Sequence, residues 1–365
     1  MPNRMDSAAM VVLPTDDLNA DMEFFYSLGF RLEQIYPADD PAVAILSGHN
    51  LCIRLDRDLD LNPALIHLQS DQPELIGDGR LVYIAPNGTP IHVVAKSQTW
   101  ETPPAQHKFE VRQLRDGEPW VIGRAGMLYR DLIPDRLGGS IIASHIRIPN
   151  GGPVPDMVHY HTIGFQLIYC YKGWVKLVYE DQGPPFILNA GDCVTQPPEI
   201  RHQVLESSDN LEVIEIGVPA VHLTTIDHDM VLPNETVRPD REFMGQKFCH
   251  HLHENAVWEN WRIEGFECYD TGVNQASNGV ASVIVVRPLQ KDVAHQWIAQ
   301  DADILFSFVM NGQFELMADG HETRLLKARD AYVIPPELRY QLQSPSDDLE
   351  ILEVALPGEF KTSYF

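Results

Sequence analysis

The chain has few basic residues and few cysteines for its length. Among 365 residues, 27 lysines and arginines stand against 52 aspartates and glutamates, which gives a net charge of −25. Because nucleic acids and anionic membranes bind proteins through basic patches, this deficit argues against both as partners. The five cysteines are an odd number without Cys-Xaa-Xaa-Cys spacing, which is typical of reduced thiols. We therefore expect a cytoplasmic protein.

Long apolar runs and targeting segments are also missing. No run approaches the roughly 20 apolar residues that a membrane helix requires, and the first residues lack the basic and apolar regions of a signal peptide. No glycine-rich phosphate loop and no strained turn carrying a nucleophile stands out. With 44% hydrophobic and 22% charged residues, the composition is that of a globular protein, and the length predicts two or three domains.

What the chain does contain is a group of histidines in strand-like sequence. His159 and His161 are separated by one residue, so on a strand both side chains point to the same face. Gln166 follows, and His202 lies in a second predicted hairpin that would come alongside the first. Neutral imidazole is the commonest protein ligand for metal ions, and three imidazoles leave room for substrate. The pattern predicts one divalent metal ion, of iron, zinc, nickel or manganese, per chain.

The spacing of these residues resembles the two signature motifs of the cupin superfamily. The first motif is present as His159, His161, Gln166 and Gly173, and the second as Gly191, Pro197 and His202. The usual fourth ligand of the family is Glu, whereas here it is Gln166. The resemblance implies a β-barrel, or double-stranded β-helix, around a metal ion held by His159, His161, Gln166 and His202.

The C-terminal two thirds contain an internal repeat. The stretch from Asp192 to Gln203 aligns with the stretch from Asp330 to Gln341, and Trp120 aligns with Trp258 at the same offset. Such self-similarity predicts two copies of one strand-rich domain. We therefore expect a mainly β protein with two tandem cupin barrels, at 108–220 and 246–358, joined by a linker at 221–245.

The second copy lacks the metal ligands. Ile298, Gln300 and Leu305 occupy the positions of His159, His161 and Gln166, and Tyr340 occupies the position of His202. Two aliphatic groups, an amide and a phenol do not form a site for a divalent cation. Four polar residues of the first copy recur in the second, which predicts a structural role for them: Asp192, Glu199, Arg201 and Glu215.

Residues 1–100 are different in kind. A short strand, a helix that ends at Gly29 and three further strands give the order βαβββ of a small α+β module. The segment from Phe24 to Phe30 resembles a glyoxalase, or vicinal-oxygen-chelate, module. The first strand lacks the metal-binding His of that family, so we expect a structural or dimerising module. A lone βαβββ unit has an incomplete sheet and cupins often dimerise, so a homodimer is predicted.

Two further residues are candidates for substrate contact. Cys170 shares strand parity with Gln166, and Arg147 precedes the motif on a neighbouring strand, where it would bind an anionic group. The remaining histidine-rich stretches are predicted to be solvated polar surface: His222, His228 and Cys249-His250-His251-Leu252-His253.

Three imidazoles and an amide leave the predicted ion its full charge, which makes it a strong Lewis acid. Such an ion polarises a carbonyl or hydroxyl group and stabilises an enolate. The sequence thus favours a metal-dependent enzyme that enolises a small, oxygen-rich organic substrate, as an isomerase or lyase. A bicupin dioxygenase is the alternative, and a non-catalytic binding or storage cupin is a further one.

Overall fold

The computed structural model describes residues 9–37, 41–57, 59–96, 101–114, 120–290 and 296–365. The chain forms two compact units, residues 1–99 and residues 100–365. Strands dominate both, as the sequence predicts. In the described ranges no helix has the length and apolarity needed to cross a membrane.

The first unit contains the predicted βαβββ order. Its described elements are β1 (Val11–Pro14), α1 (Leu18–Ser27), β2 (Arg31–Tyr36), β3 (Val43–Gly48), β4 (Leu51–Asp56), β5 (Ile66–Ser70), a 3-10 turn (Pro73–Leu75), β6 (Val82–Ile84) and β7 (Pro90–Ala95). The helix starts where the Asp17 carboxylate accepts a hydrogen bond from the Ala20 amide at 3.1 Å. The first sheet has the order β1-β4-β3-β2, with β1 parallel to β4.

A second, three-stranded sheet in this unit repeats the topology of the first. β5 runs parallel to β7 as β1 does to β4, and β6 is antiparallel to β7 as β3 is to β4. One core joins the helix to both sheets through Phe25, Leu46, Ile53 and Ile91, all fully buried. The resemblance to a glyoxalase module stays a prediction.

The second unit contains the two predicted barrels. Its described strands are β8 (Glu110–Arg112), β9 (Val121–Ile122), β10 (Leu128–Asp131), β11 (Ile142–Ile148), β12 (Gly152–Pro153), β13 (His159–Thr162), β14 (Phe165–Lys172), β15 (Trp174–Tyr179), β16 (Phe186–Asn189), β17 (Cys193–Thr195), β18 (His202–Ser207), β19 (Leu211–Val218), β20 (Leu223–Ile226), β21 (Glu242–Phe243), β22 (Gln246–Lys247), β23 (His250–His251), β24 (Glu259–Asn260), β25 (Phe266–Asp270), β26 (Ser282–Pro288), β27 (Ile298–Gln300), β28 (Ile304–Asn311), β29 (Gln313–Ala318), β30 (Arg324–Lys327), β31 (Ala331–Ile334), β32 (Tyr340–Gln343), β33 (Glu350–Leu356) and β34 (Thr362–Tyr364). Two short helices, α2 (Arg136–Gly139) and α3 (Val273–Ala276), lie in connections.

Each barrel is made of two sheets. In the first barrel the sheets have the orders β23-β17-β14-β19-β11-β10-β9 and β16-β15-β18-β13-β20, with β12 paired to β18. In the second they have the orders β24-β25-β26-β33-β28-β31-β8 and β30-β29-β32-β27-β34. The pairing registers agree with the repeat, because His159 lies opposite His202 and Ile298 lies opposite Tyr340.

The strand pairings differ from the expected barrel boundaries in four places. β8 precedes the first barrel in the chain but pairs with β31 of the second, and β23 pairs with β17 of the first. The segment expected to be a linker contributes β20, which pairs with β13, and β34 extends the second barrel beyond residue 358. Short edge strands satisfy the backbone groups of whichever sheet edge is near, and repeat boundaries in the sequence do not reveal this choice.

A shared apolar core lies where the barrels meet. Residues on the faces of the two seven-stranded sheets that point away from the barrel interiors form one buried cluster, which includes Leu167 and Ile216 from the first barrel and Phe306 and Val354 from the second. A separate cluster fills the interior of each barrel. The two barrels therefore pack against each other through one continuous apolar cluster, in addition to the cluster inside each barrel.

Candidate metal centre

Three histidines converge inside the first barrel. His159 and His161 lie on β13 with Tyr160 between them, and both face inward because strand side chains alternate. His202 begins β18, directly opposite His159. One ring nitrogen from each histidine lies within 4.8 Å of the others, and the rings of His159 and His202 have centroids 4.2 Å apart. All three side chains are at least nine-tenths buried.

Hydrogen bonds at Nδ1 orient each imidazole. His159 Nδ1 lies 2.7 Å from the carbonyl oxygen of Met157, and His202 Nδ1 lies 2.9 Å from that of Ile200. A carbonyl oxygen only accepts, so in both rings the proton is on Nδ1. His161 Nδ1 is 2.9 Å from Thr224 Oγ1. Nε2 is then the nitrogen of each ring that would coordinate a metal.

Gln166 adds an oxygen donor to this set. Its amide nitrogen donates to Glu215 Oε1 at 2.7 Å, and an ionised carboxylate can only accept, so the amide oxygen faces away from Glu215. This Oε1 atom is buried and has no hydrogen-bond partner among the described residues. Gln166 shares the inward face of β14 with Ile168, which lines the barrel cavity. Three neutral nitrogens and an orphaned amide oxygen suit a divalent cation.

Two of the three histidines, His161 and His202, line a cavity of about 70 Å³. Its polar wall contains His161, His202, Gln196 and Glu215. The rest of the lining is largely aliphatic: Met127, Ile146, Ile148, Ile168, Val175, Leu177, Val204, Leu211 and Val213. Tyr179 stacks on His202 with centroids 5.5 Å apart, and burial raises the pKa of its hydroxyl above the usual value. The cavity therefore has one polar end and an apolar body.

The two predicted substrate contacts do not line this cavity. Ile146 and Ile148 point into the cavity, so Arg147 between them points outward, and its guanidinium donates to Asn210. Cys170 does face the interior, but it is packed in the barrel core with its thiol 3.6 Å from the Gly173 carbonyl. Burial raises the pKa of this thiol to about 12. The alternation of side chains along β14 correctly predicts that Cys170 faces the barrel interior. It does not show that Cys170 lies in the packed core, away from the cavity.

Three residues near the site were not expected to take part in it. Glu215 was predicted to be structural, because the second copy retains the equivalent Glu353, yet it lines the cavity and orients Gln166. Thr224 and His222 belong to the supposed linker, which β20 brings against β13. The His222 ring is half-buried, 5.4 Å from that of His161. The strand-favouring run Leu223-Thr224-Thr225-Ile226 directly after His222 is a local signal of β20 in the sequence.

The other predicted polar stretches behave differently. His228 is exposed, as expected. His250 and His251 are half-buried, because β23 packs them against Phe186 and Tyr269, with ring centroids 4.2 and 5.3 Å apart respectively. Among the described residues, the triad of His159, His161 and His202 is the one group of three histidine, cysteine or acidic ligands close enough to share an ion.

In the second barrel an arginine occupies the corresponding region. Arg262 donates to Glu353 at 2.6 Å and to the Tyr340 hydroxyl at 3.2 Å. Glu353 is equivalent to Glu215, and Tyr340 to His202. Burial disfavours the charged form of Arg262, but Glu353 outweighs this effect and raises its pKa above the ordinary value. The Arg262 guanidinium thus neutralises the buried carboxylate of Glu353, and aliphatic and aromatic side chains fill the remaining interior.

Comparison with models of protein families matches none of them, and comparison with curated protein sequences finds no significant match. Solved structures do match. Salicylate 1,2-dioxygenase from Pseudaminobacter salicylatoxidans superposes with a TM-score of 0.53 at 13% identity, over 72% of this chain and 90% of that one. A formate complex of oxalate decarboxylase from Lactobacillus farciminis gives 0.51 at 13% identity, over 69% and 87%. An oxalate decarboxylase variant from Bacillus subtilis gives 0.50 at 11% identity, over 74% and 82%.

The chain has the bicupin fold. This confirms the fold class inferred from the two signature motifs and the repeat. At identities of 11–14% the likeness concerns the arrangement of strands.

Proposed function

We propose that this bicupin is a metal-dependent enzyme that acts on a small organic molecule with adjacent oxygen atoms. The observation that supports this most directly is the convergence of three buried imidazoles, two of which, His161 and His202, line a largely apolar cavity. His159, His161, His202 and Gln166 would hold one divalent ion. A bound ion of this kind supplies Lewis acidity that polarises a carbonyl or hydroxyl group and favours an enolate.

The cavity limits the size and polarity of the substrate. Its volume of about 70 Å³ is about half of the 150 Å³ that accommodates benzene in an apolar protein cavity. A short oxygenated head would lie at the histidines, beside Gln196 and Glu215, and a small aliphatic part would lie against Ile146 and Leu177. This apolar lining would exclude bulk water, which strengthens electrostatic interactions at the polar end.

Enolisation is the reaction that these residues support best. Because the four proposed ligands are neutral, the ion itself would keep its full charge for a developing enolate, and Glu215 is the one acidic side chain in the cavity lining. Tyr179 and Gln196, hydrogen-bonded to each other at 2.8 Å, would fix the wall against which the substrate lies. The homodimer and the cytoplasmic location expected from the sequence belong to the same proposal.

The metal is tested first. Protein purified without added metal should contain about one divalent ion per chain by elemental analysis. His161→Ala should lose most of it, because the substitution removes one of the three imidazole ligands, whose ring Thr224 orients through Nδ1. His251→Ala, which removes a half-buried imidazole on β23 of the same barrel, is the matched control and should keep its metal. Equal metal contents in the two variants would exclude the triad as the site.

The reaction is tested separately. In deuterated water, the metal-loaded protein should exchange the hydrogen next to the carbonyl of small 2-oxo acids or hydroxy ketones, observed by proton NMR. The His161→Ala protein should not. Dioxygen chemistry is the alternative, supported by the shared fold with a salicylate 1,2-dioxygenase. Oxygen uptake by the iron-loaded protein, without isotope exchange, would favour that alternative. The absence of both oxygen uptake and isotope exchange would favour a binding protein.

A further inference from the structure

The repeat places two equivalent junctions between the barrels. Lys172 lies opposite Glu212 in the first barrel, and Asn311 lies opposite Glu350 in the second, after the same irregularity in strand register. Glu212 and Glu350 are therefore equivalent residues, each at the start of its strand. We name the surroundings of Glu212 the filled junction and those of Glu350 the open junction.

A second pair of residues is equivalent in the turns that face these carboxylates. The amide of Gly191 donates to the Cys170 carbonyl at 2.8 Å, and the amide of Arg329 donates to the Val309 carbonyl at 2.7 Å. Gly191 has φ +93° and Arg329 has φ +76°, so both lie in the left-handed region. The two turns have the same backbone, but one carries a guanidinium side chain and the other carries none.

In the filled junction, the carboxylate is neutralised by the opposite barrel. Glu212 is buried and accepts from Arg329 at 2.8 Å, and its other oxygen lies 2.9 Å from His145 Nε2. Burial raises the pKa of Glu212, but His145 and Arg329 outweigh this effect, and the pKa lies below its ordinary value. The Arg329 guanidinium of the second barrel thus forms an ion pair with the buried Glu212 of the first.

In the open junction, both partners of the carboxylate are absent. Gly191 stands in place of Arg329, and Val285 stands in place of His145, as the strand registers show. What remains is a cavity of about 180 Å³ between the barrels. His253 covers Gly191 and forms one wall.

The lining of this cavity is aromatic and acidic. Tyr169, Tyr171 and Tyr269 contribute to it, together with Met310 and Glu350. Glu350 accepts a hydrogen bond from the neutral amide of Asn311 at 2.8 Å and makes no ion pair with any residue that the structure describes. Burial raises the pKa of Tyr269 to about 12, and the negative charge of Glu350 contributes to this rise.

We propose that the open junction is a binding site for a small organic cation with a guanidinium head, which takes the position that Arg329 fills in the other junction. The planar guanidinium donates in parallel to a carboxylate, and aromatic faces attract cations. A volume of about 180 Å³ exceeds the roughly 150 Å³ that holds benzene, so a guanidinium with a short alkyl chain fits. Glu350 is half-buried and its partner Asn311 is exposed, so the cavity is reached from solvent.

Methylguanidinium and N-methylurea distinguish this proposal from unspecific binding, because they have the same shape and differ in charge. Isothermal titration of the full-length protein should give saturable binding of methylguanidinium and at least tenfold weaker binding of N-methylurea. Glu350→Gln should weaken methylguanidinium binding at least tenfold. Glu359→Gln, at an exposed carboxylate of the same barrel, should leave it unchanged.

The filled junction provides a positive control in the same chain. Arg329→Ala should create a second methylguanidinium site beside Glu212, visible as a stoichiometry of two and as a larger rise in melting temperature on adding the ligand. Equal affinity for the charged and neutral probes, or equal affinity in wild type and Glu350→Gln, would overturn the proposal. Neither outcome depends on the metal site in the first barrel.

Discussion

At the scale of single residues, the departure of this chain from the cupin motif has a local explanation. Gln166 stands where the carboxylate is expected, and its amide donates to Glu215, an acid that lines the same cavity as His161 and His202. The second barrel retains the carboxylate as Glu353 and neutralises it with Arg262. Each barrel thus keeps an acid at this position, half-buried as Glu215 and buried as Glu353, and only the kind of cation beside it would differ.

Thr224 is a positioning residue in this arrangement, because its hydroxyl bonds to the nitrogen of His161 that faces away from the cavity. Thr224→Val removes the hydroxyl with little change in shape. We expect metal affinity to fall by about 10–100-fold, the usual effect of losing a partner of a ligand. Competition with a chromogenic chelator measures it. Thr224→Ser should restore affinity, and Thr225→Val on the same strand should have no effect; a loss confined to Thr225→Val would contradict the assignment.

At the scale of elements, the segment from 221 to 245 is part of the first barrel rather than a linker. β20 completes one sheet, and a buried aspartate binds the following residues to the barrel. Asp181 accepts from Asn234 at 2.6 Å and from Arg241 at 2.8 Å, and it also pairs with Arg238. The sequence of this segment contains Pro233, Pro239 and many polar residues, so it resembles a linker and does not reveal its attachment to the barrel.

The attachment should depend on pH. Burial raises the pKa of Asp181, but Arg241, Asn234 and Arg238 outweigh it and hold the pKa below its ordinary value of 3.8. The stabilisation is therefore complete above that value and is lost as the pH falls through the folded pKa. Asp181→Asn should increase urea sensitivity at pH 7, and the difference from wild type should shrink below about pH 4. Asn tolerates the φ of +62° at this position, so a backbone effect is avoided. An unchanged difference at pH 3 would contradict this attribution.

At the scale of the whole molecule, the two barrels are interlocked by exchanged edge strands. β8 comes before the first barrel in the chain and closes an edge of the second, and β23 comes after the first barrel and closes its edge. Phe109 and Val111 accordingly pack against the core of the second barrel. Together with the shared apolar core, this exchange predicts that the barrels unfold as one unit.

Phe109→Ala tests whether the segment around β8 stabilises the second barrel. Because Phe109 is half-buried against the second core, we expect a destabilisation of about 1–2 kcal/mol. Native-state hydrogen exchange should accelerate most in β31 and its neighbour β28, although residue 109 is nearest in sequence to the first barrel. Val121→Ala, at an exposed position of β9, is the control. Faster hydrogen exchange confined to β10 and β11 would contradict the assignment of β8 to the second barrel.

The sequence by itself determined the barrels, their repeat register and the convergence of the histidines. Those features follow from strand alternation and from spacings that recur, as with His159 opposite His202 and Ile298 opposite Tyr340. The metal ligation stays a prediction. Tertiary structure alone decided that Arg147 points outward, that Glu215 and Thr224 support the site, and that Gly191 leaves a cavity beside Glu350. These outcomes depend on which distant strands meet, and a local pattern carries no record of such contacts because many sheet-edge pairings satisfy the same sequence.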